Sequence, residues 1–126
     1  MSRIKTTHYT RGISVTEWRN PQGEYHREPG EGPAWVMVSA DGTKMQEAYY
    51  THGLWHREDG PAVSVFWPDG TPLIRRWYQH GKLHRIHGPA YEMFNEEGTL
   101  IYTENWVNGV ETPTSSTKPA VTDVAH

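Results

Sequence analysis

The stretch GLWHREDGPAVSVFWPDG, residues 53–70, decides the fold because the chain repeats it almost three times. A later copy, GKLHRIHGPAYEMFNEEG, occupies residues 81–98, and a longer first copy, GEYHREPGEGPAWVMVSADG, occupies residues 23–42. Five columns recur in register every 28 residues: a Gly-Pro-Ala triplet, the Gly of an acid-Gly pair, and the Gly that precedes the next copy. Self-similarity at such a period is typical of repeat architectures.

Each copy carries two Gly-bearing turns. One is written ADGT, PDGT and EEGT, and the other THGL, QHGK and VNGV. Both resemble the two-residue turns of β-hairpins. His52, His80 and Asn108 share one column of the second turn, and His and Asn both tolerate a positive φ. We therefore predict a backbone role for this column rather than metal binding.

The segments between the turns are rich in β-forming residues and alternate with period two: Trp35 and Met37 share one parity, and Val36 has the other. No segment shows a helical period. The sequence predicts an all-β fold of repeated antiparallel β-hairpins, with a 28-residue period and about 3.5 units, forming a meandering, single-layer twisted sheet. We expect this domain to span residues 8–111, between a flexible N-terminus (1–7) and a disordered, Pro-, Ser- and Thr-rich tail (112–126).

Composition excludes several classes of function. The 126 residues carry a net charge of -3, which is too mild to indicate a nucleic acid or a membrane as partner. No cysteine is present, so disulfides, thiolate zinc sites and Cys nucleophiles are excluded. No apolar run is long enough to span a membrane and no signal peptide opens the chain, so we expect a cytoplasmic protein.

Three His-Arg pairs stand at matching places of the copies: His26 and Arg27, His56 and Arg57, and His84 and Arg85. A structural role is favoured because structural signatures repeat with the unit, whereas a catalytic residue need occur only once. The alternative is a row of anion-binding groups that would grip the phosphates of a metabolite or nucleotide.

A metal site and an enzyme are the lesser alternatives. His52-x3-His56 and His80-x3-His84-x2-His87 have spacings found in zinc sites, but such spacing gathers ligands on a helix rather than around turns. No nucleophile elbow or phosphate-binding Gly loop occurs, and the carboxylates show no acid-base pattern. We predict no cofactor, no metal and no catalysis, with a metal-dependent hydrolase as the weakest alternative.

The aromatic residues point to binding. Six Trp and seven Tyr are many for an open sheet, which cannot bury both of its faces. Exposed rings beside Arg have the composition of protein-binding hot spots. We predict that the following residues bind a partner protein: Trp35, Trp55, Trp67, Trp77, Arg75 and Arg76. Rings that merely pack against each other are the alternative, and a second copy of the chain could also cover the exposed face and edge.

The segments Tyr50–Gly53, Tyr78–Gly81 and Trp106–Gly109, with the strands that follow them, resemble MORN-type repeats over about residues 17–110. The longer unit and the HR-x-x-GPA insert depart from that family and look like repeats of phage, large-virus and bacterial proteins of unassigned role. The resemblance implies a meandering antiparallel sheet that binds protein or, in some members, lipid headgroups, without catalysis. We therefore expect a phage or bacterial accessory protein, in the host cytoplasm if phage-encoded, that inhibits a partner protein (anti-defence type) or recruits it.

Overall fold

The fold of the described residues, 4–113, consists of β-strands and turns. In the computed structural model this part of the chain contains thirteen strands and no helix. The strands are β1 (Ile4–Thr10), β2 (Ile13–Arg19), β3 (Trp35–Val38), β4 (Lys44–Ala48), β5 (Tyr50–Thr51), β6 (Leu54–Trp55), β7 (Val63–Phe66), β8 (Pro72–Arg76), β9 (Tyr78–Gln79), β10 (Lys82–Leu83), β11 (Tyr91–Phe94), β12 (Leu100–Val107) and β13 (Val110–Thr112). The predicted all-β class is confirmed.

Nine strands form one antiparallel sheet in the order β1-β2-β3-β4-β7-β8-β11-β12-β13. The four remaining strands form two short hairpins, β5-β6 and β9-β10. Each copy of the sequence repeat thus supplies one long hairpin to the main sheet and one short hairpin beside it. In the last copy, the end of β12 pairs with β13 and takes the place of the separate short hairpin.

The short hairpins turn through two residues that both have positive φ, as in type I′ turns. The first residue of each turn is His52 (φ 49°), His80 (φ 50°) or Asn108 (φ 51°), and a Gly with positive φ follows. The predicted backbone role of this column is therefore confirmed. A turn of the same kind, Arg11-Gly12 (φ 53° and 84°), joins β1 to β2.

The acid-Gly turns of the long hairpins differ from the two-residue turns that the sequence favoured. The N–H of Ser39 donates to the oxygen of Thr43 at 2.8 Å, and the N–H of Gly42 donates to the oxygen of Ser39 at 3.0 Å. Only Gly42 has a positive φ (92°), which fits a three-residue loop with a type I turn followed by a glycine bulge. The acid keeps ordinary backbone geometry, and Asp41 Oδ1 instead accepts the N–H of Thr43 at 3.0 Å.

The predicted start of the domain at residue 8 is too late. Strand β1 begins at Ile4 and pairs with β2 along its full length, so residues 4–7 belong to the sheet. The Arg11-Gly12 turn explains this, because it folds a Thr-rich strand back onto β2. At the other end β13 reaches Thr112, and the predicted tail beyond residue 113, like residues 1–3, lies outside the described residues.

The core is small and built from small side chains. Ala34, Ala62 and Ala90 of the repeated Gly-Pro-Ala triplet are fully buried, and Ala48 and Val63 are nearly so. The Trp rings are only half-buried. The large rings therefore cover the sheet rather than fill an interior. Within residues 4–113 no helix is long and apolar enough to cross a membrane.

Candidate partner-binding face

The strand register divides the side chains of the main sheet between two faces, because directly opposed residues of antiparallel strands point to the same side. We call one of them the Trp35 face. It consists of the row Glu17, Trp35, Ala48, Val63, Arg76, Tyr91 and Glu104, and of the neighbouring row Val15, Met37, Gln46, Val65, Ile74, Met93 and Tyr102. The opposite side, the Arg75 face, carries Thr16, Val36, Glu47, Ser64, Arg75, Glu92 and Thr103.

The two faces differ in chemistry. The second row of the Trp35 face is aliphatic or Met at five of its seven positions, and all seven side chains are half-buried. The row of the Arg75 face instead carries a charge or a hydroxyl at six of its seven positions, with Val36 as the exception, and the guanidinium of Arg75 lies 4.0 Å from Glu92. Within these rows the Trp35 face carries more apolar side chains, while Trp18 and Phe94 lie on the Arg75 side.

A ladder of aromatic rings, formed by Tyr25 and by the two short hairpins, borders the Trp35 face. The ring centroids of Tyr25 and Tyr50 are 4.9 Å apart, those of Tyr50 and Trp55 6.0 Å, and those of Trp55 and Tyr78 4.8 Å. The hydroxyl of Tyr25 donates to Glu17 at 3.1 Å, which ties the ladder to the first row. Burial raises the pKa of Tyr25 and of Tyr78, so both phenols stay neutral at physiological pH.

The charges of this face lie in the middle and at the two ends of its first row. Arg76 stands in the middle of the first row, and its Cζ lies 5.5 Å from the centroid of Tyr91. The acids stand toward the two ends of the row: Arg19 donates to Glu17 at 3.1 Å, and Trp106 Nε1 donates to Glu104 at 2.8 Å. The guanidinium of Arg76 thus lies in the middle of the row, between Val63 and Tyr91, whereas Arg19 lies at the end of the row beside Glu17.

The six residues predicted to bind a partner do not lie on one surface. Trp35 and Arg76 share the Trp35 face, and Trp55 lies in the ladder beside it. Arg75 points to the opposite face. Arg85 stacks on the ring of Trp77 at 3.9 Å, and Trp67 Nε1 donates to the oxygen of Phe94 at 3.3 Å.

Sequence reasoning also left out residues that belong to this surface. Tyr91, Tyr102, Tyr25 and Tyr78 were not among the predicted binding residues, although Tyr91 occupies the same repeat column as Trp35. The period-two alternation already placed Trp35 and Met37 together, and that parity followed across the strands would have found Tyr91.

The Arg of each His-Arg pair stacks on an aromatic ring that precedes it by eight or nine residues in the chain. The guanidinium carbons of Arg27, Arg57 and Arg85 stack 3.8, 3.9 and 3.9 Å from the rings of Trp18, Tyr49 and Trp77. Their Nη1 atoms donate to the carbonyls of Pro33, Pro61 and Pro89 at 3.2, 3.2 and 3.1 Å. A Cβ built on Gly60 would come within 3.0 Å of the Arg57 guanidinium, which explains the Gly before each Pro-Ala.

The His of each pair links its repeat to the next. The Nδ1 atoms of His26, His56 and His84 accept the backbone N–H of His52, His80 and Asn108 at 2.9, 3.0 and 2.9 Å. An Nδ1 that accepts carries no proton, so the neutral ring is protonated on Nε2. That nitrogen faces Glu28 at 2.8 Å in the first pair and Glu58 at 2.6 Å in the second.

Grooves separate successive His-Arg loops. The first has a volume of about 410 Å³, with Arg27 and Arg57 in its wall beside several acids. The acids are Glu28, Glu31, Glu58 and Asp59. A second groove of about 640 Å³ lies between the loops of Arg57 and Arg85, and His87 lines it. The hydrogen bond from His26 lowers the pKa of Glu28, so an anion in the first groove would face an ionised carboxylate.

The His spacings that resemble zinc sites do not bring a set of metal ligands together in the described part of the chain. Residues 4–113 contain no group of three or more His, Asp or Glu side chains that could hold a metal ion. His56 and His80 stack with their centroids 4.4 Å apart, and Nδ1 of both His56 and His84 already accepts a backbone N–H. Anion binding by the three His-Arg pairs stays a prediction.

No family model, no curated protein and no solved structure matches this chain. The function is therefore inferred from the contacts and chemistry of the surfaces described above.

Proposed function

We propose that this protein is a non-enzymatic protein-binding module that receives its partner on the Trp35 face. The observation that carries the proposal is the composition of that face: a largely apolar row, a neighbouring row with Trp35 and Tyr91 around the central cation Arg76, and an aromatic ladder beside them. Aromatic residues and Arg are enriched at the centres of protein interfaces, where truncation of such a residue typically weakens binding by about 2 kcal/mol or more.

The side chains of the Trp35 face indicate which kind of partner surface would fit it. Side chains such as Met37, Met93 and Ile74 would be covered by an apolar patch on the other protein, and methionines adapt their shape to what they contact. The central Arg76 calls for a carboxylate at the matching position, because a desolvated guanidinium needs an acceptor. The expected partner is thus an apolar surface that carries an acidic side chain at its centre.

The resemblance to MORN-type repeats supports binding over catalysis. In this proposal the protein works in the cytoplasm as an accessory protein of phage or bacterial type, and it inhibits or recruits its partner by covering a surface of it. The Arg residues of the His-Arg pairs take part in internal stacking instead, which favours the protein-binding function over a phosphate-binding one.

Two neighbouring arginines offer a matched test. Arg75 and Arg76 follow each other in β8 but point to opposite faces. The partner is first captured from the native host with the wild-type protein and identified, and its affinity for purified variants is then measured. Arg76→Glu should weaken binding at least about 10-fold, while Arg75→Glu should leave it within about 2-fold, since 1.4 kcal/mol corresponds to a factor of ten.

Thermal melting of both variants serves as the control for folding. Equal loss of binding in both variants, or loss in Arg75→Glu alone, would refute the assignment of the Trp35 face. Binding that survives Arg76→Glu but disappears when free phosphate or nucleotide is added would favour the small-ligand function of the His-Arg loops instead.

A further inference from the structure

Among residues 4–113, strand β1 forms one edge of the main sheet and no other strand pairs with its outer side. All seven of its residues, Ile4–Thr10, are exposed, and its pairing with β2 runs without a bulge. It contains no Pro and only one Lys, so it lacks most of the sequence features that prevent an edge strand from pairing with another chain. Its large apolar side chains are also uncovered, with Ile4 50% and Tyr9 76% exposed.

The turn geometry shows which backbone groups point outward from this edge. The two-residue turn Arg11-Gly12 is closed by the pair Thr10 and Ile13. The closing pair of such a hairpin exchanges main-chain hydrogen bonds, and bonded and non-bonded pairs then alternate along the strand. The N–H and C=O groups of Lys5, Thr7 and Tyr9 therefore face away from β2.

The opposite edge of the main sheet, strand β13, has fewer backbone groups available for pairing with another molecule. Strand β13 has three residues and follows the two-residue turn Asn108-Gly109, which is closed by Val107 and Val110. By the same alternation, only Glu111 in β13 points its backbone groups outward. An association of β1 with β13 of another molecule would therefore use a single residue of β13.

We propose that β1 pairs antiparallel with β1 of a second copy of this chain, around a two-fold axis at Thr7. Main-chain hydrogen bonds between the two β1 strands can form only where an outward-facing residue of one strand lies opposite an outward-facing residue of the other. This condition restricts the register in which the two strands can pair. Placing Thr7 opposite Thr7 sets Lys5 opposite Tyr9 in both directions and uses all three outward residues. Each opposed pair then exchanges two main-chain hydrogen bonds. This proposal does not depend on the proposed function of the Trp35 face.

The side chains are complementary in this register. Lys5, Thr7 and Tyr9 all point to the Arg75 face, since they oppose Trp18, Thr16 and Ser14 in β2. Lys5 would lie beside Tyr9 of the second copy, where a cation and an aromatic ring attract each other. Like charges, which destabilise a sheet when directly opposed, do not meet. The strand is thus complementary to itself, which favours a second copy over an unrelated peptide.

The dimer would have a defined shape. A two-fold axis between antiparallel edge strands runs perpendicular to the sheet, so both Trp35 faces would lie on the same side of one continuous sheet. Strand pairing alone covers less surface than a permanent interface, for which about 1,200 Å² is the lower end of the standard size. We therefore expect a reversible dimer whose population rises with concentration.

Sedimentation equilibrium and light scattering of the full chain test the proposal. The wild-type mass should approach twice that of the monomer as the concentration rises toward about 1 mM, which covers weak affinities. Thr7→Pro removes an outward N–H, and edge strands tolerate Pro at such a position. Thr7→Lys places two like charges opposite each other. Both changes should raise the dissociation constant at least about 10-fold, and Glu111→Pro, the matched change at the other edge, should leave it unchanged.

A cross-link checks the register and does not depend on Thr7→Pro folding. The natural chain has no cysteine, so Thr7→Cys introduces a single thiol. In a bonded antiparallel pair the Cα atoms are about 5.5 Å apart, which suits a disulfide. Thr7→Cys should thus form a covalent dimer under mild oxidation. Thr10→Cys should not, because its two copies would lie about 20 Å apart at about 3.4 Å per residue.

Three results would overturn the proposal: a monomer at every concentration, a dimer that withstands both Thr7→Pro and Thr7→Lys, or cross-linking of Thr10→Cys as fast as of Thr7→Cys. A dimer lost on Glu111→Pro would place the contact at β13 instead.

Discussion

Nδ1 of His56 accepts the backbone N–H of His80, one repeat further along the chain, at 3.0 Å. The same bond joins His26 to His52 and His84 to Asn108. The acceptor is always the His of a His-Arg pair, and the donor is always the positive-φ residue of the next short hairpin. The repeated histidine is thus a link between successive repeats, which accounts for its triplication.

Removal of this link should destabilise the protein. His56→Ala deletes a side chain that is 11% exposed and leaves the N–H of His80 without its acceptor. We expect a loss of about 0.5–1.5 kcal/mol in the free energy of unfolding, the usual net contribution of a hydrogen bond, because His80 is exposed and water can take the place of the lost acceptor. Urea denaturation followed by tryptophan fluorescence measures it.

The donor position gives the control for this prediction. His80→Asn keeps the backbone N–H and a residue that tolerates positive φ, and the last repeat already carries Asn108 at this place. This change should cost less than about 0.5 kcal/mol, as for an ordinary surface substitution. If His80→Asn costs as much as His56→Ala, ring stacking between the two imidazoles, rather than the hydrogen bond, is the stabilising contact.

Glu28 should make the fold sensitive to acid. The hydrogen bond from His26 lowers the pKa of this carboxyl below the ordinary 4.5 in the folded protein. A group with a lowered folded-state pKa stabilises the fold above its unfolded pKa and loses that contribution as the pH falls through its folded pKa. Between pH 5 and pH 3 the melting temperature of wild type should therefore fall more than that of Glu28→Gln.

The exposed Glu96, in a turn of the last long hairpin, provides the comparison for Glu28. Glu96→Gln should show the same acid-induced fall as wild type. An identical pH profile in Glu28→Gln and wild type would mean that the contact between His26 and Glu28 contributes nothing measurable to stability.

The hairpins could be predicted from the sequence, and the period-two alternation placed Trp35 and Met37 on one side of their strand, but which Trp and Arg residues share a surface could not be predicted. A positive φ restricts the residue types that can occupy a position, and this restriction is visible in the sequence. Asn108 is an example, because only a residue that tolerates positive φ fits there. The sequence grouped Trp77 and Arg75 with Trp35, whereas the structure places them on a different side, because composition does not record which side of a strand a residue takes. The link from His56 to the next repeat joins residues distant in sequence, and its donor is a backbone N–H, which no side-chain motif reveals.

Strand β1 was missed for a related reason. Its sequence, IKTTHYT, lies outside the repeat and carries weak apolar alternation. The Arg11-Gly12 turn does not show the Asn-Gly or Asp-Gly pattern that marks such hairpins, although Arg11 adopts the same positive φ as His52.

Neutralising Glu92 should stabilise the protein at neutral pH. Burial raises the pKa of this carboxyl, and Arg85 and Arg75, at 3.6 and 4.0 Å, offset that effect only in part. A carboxyl with a raised folded-state pKa contributes stability at low pH and loses it as the pH rises through that pKa. Glu92→Gln should therefore melt at a slightly higher temperature than wild type at pH 7, and the difference should shrink as the pH falls toward 4.

A Glu92→Gln variant that melts lower than wild type at pH 7 would contradict this prediction. It would show that the ion pairs with Arg85 and Arg75 outweigh the cost of burying the charge.

The stacked arginines should act on stability rather than on binding. Arg57 lies 3.9 Å from the ring of Tyr49 and donates to the carbonyl of Pro61 at 3.2 Å. Its removal in Arg57→Ala forfeits a cation–π contact and a charged hydrogen bond, which together correspond to about 1–3 kcal/mol. Affinity for a partner on the Trp35 face should stay within about 2-fold of wild type, a change of less than 0.5 kcal/mol.

Arg57→Lys tests whether the planar shape of the Arg57 side chain or only its positive charge is needed. The ammonium of Lys keeps the charge but lacks the planar guanidinium that stacks on Tyr49 and donates to Pro61. It should recover less than half of the stability lost in Arg57→Ala, as measured by urea denaturation. Full recovery by Lys would mean that the positive charge alone is needed at this place. A stable Arg57→Ala variant that has lost its ligand would instead assign the His-Arg loops to binding, since the stacking of the guanidinium on Tyr49 would then contribute nothing to the fold.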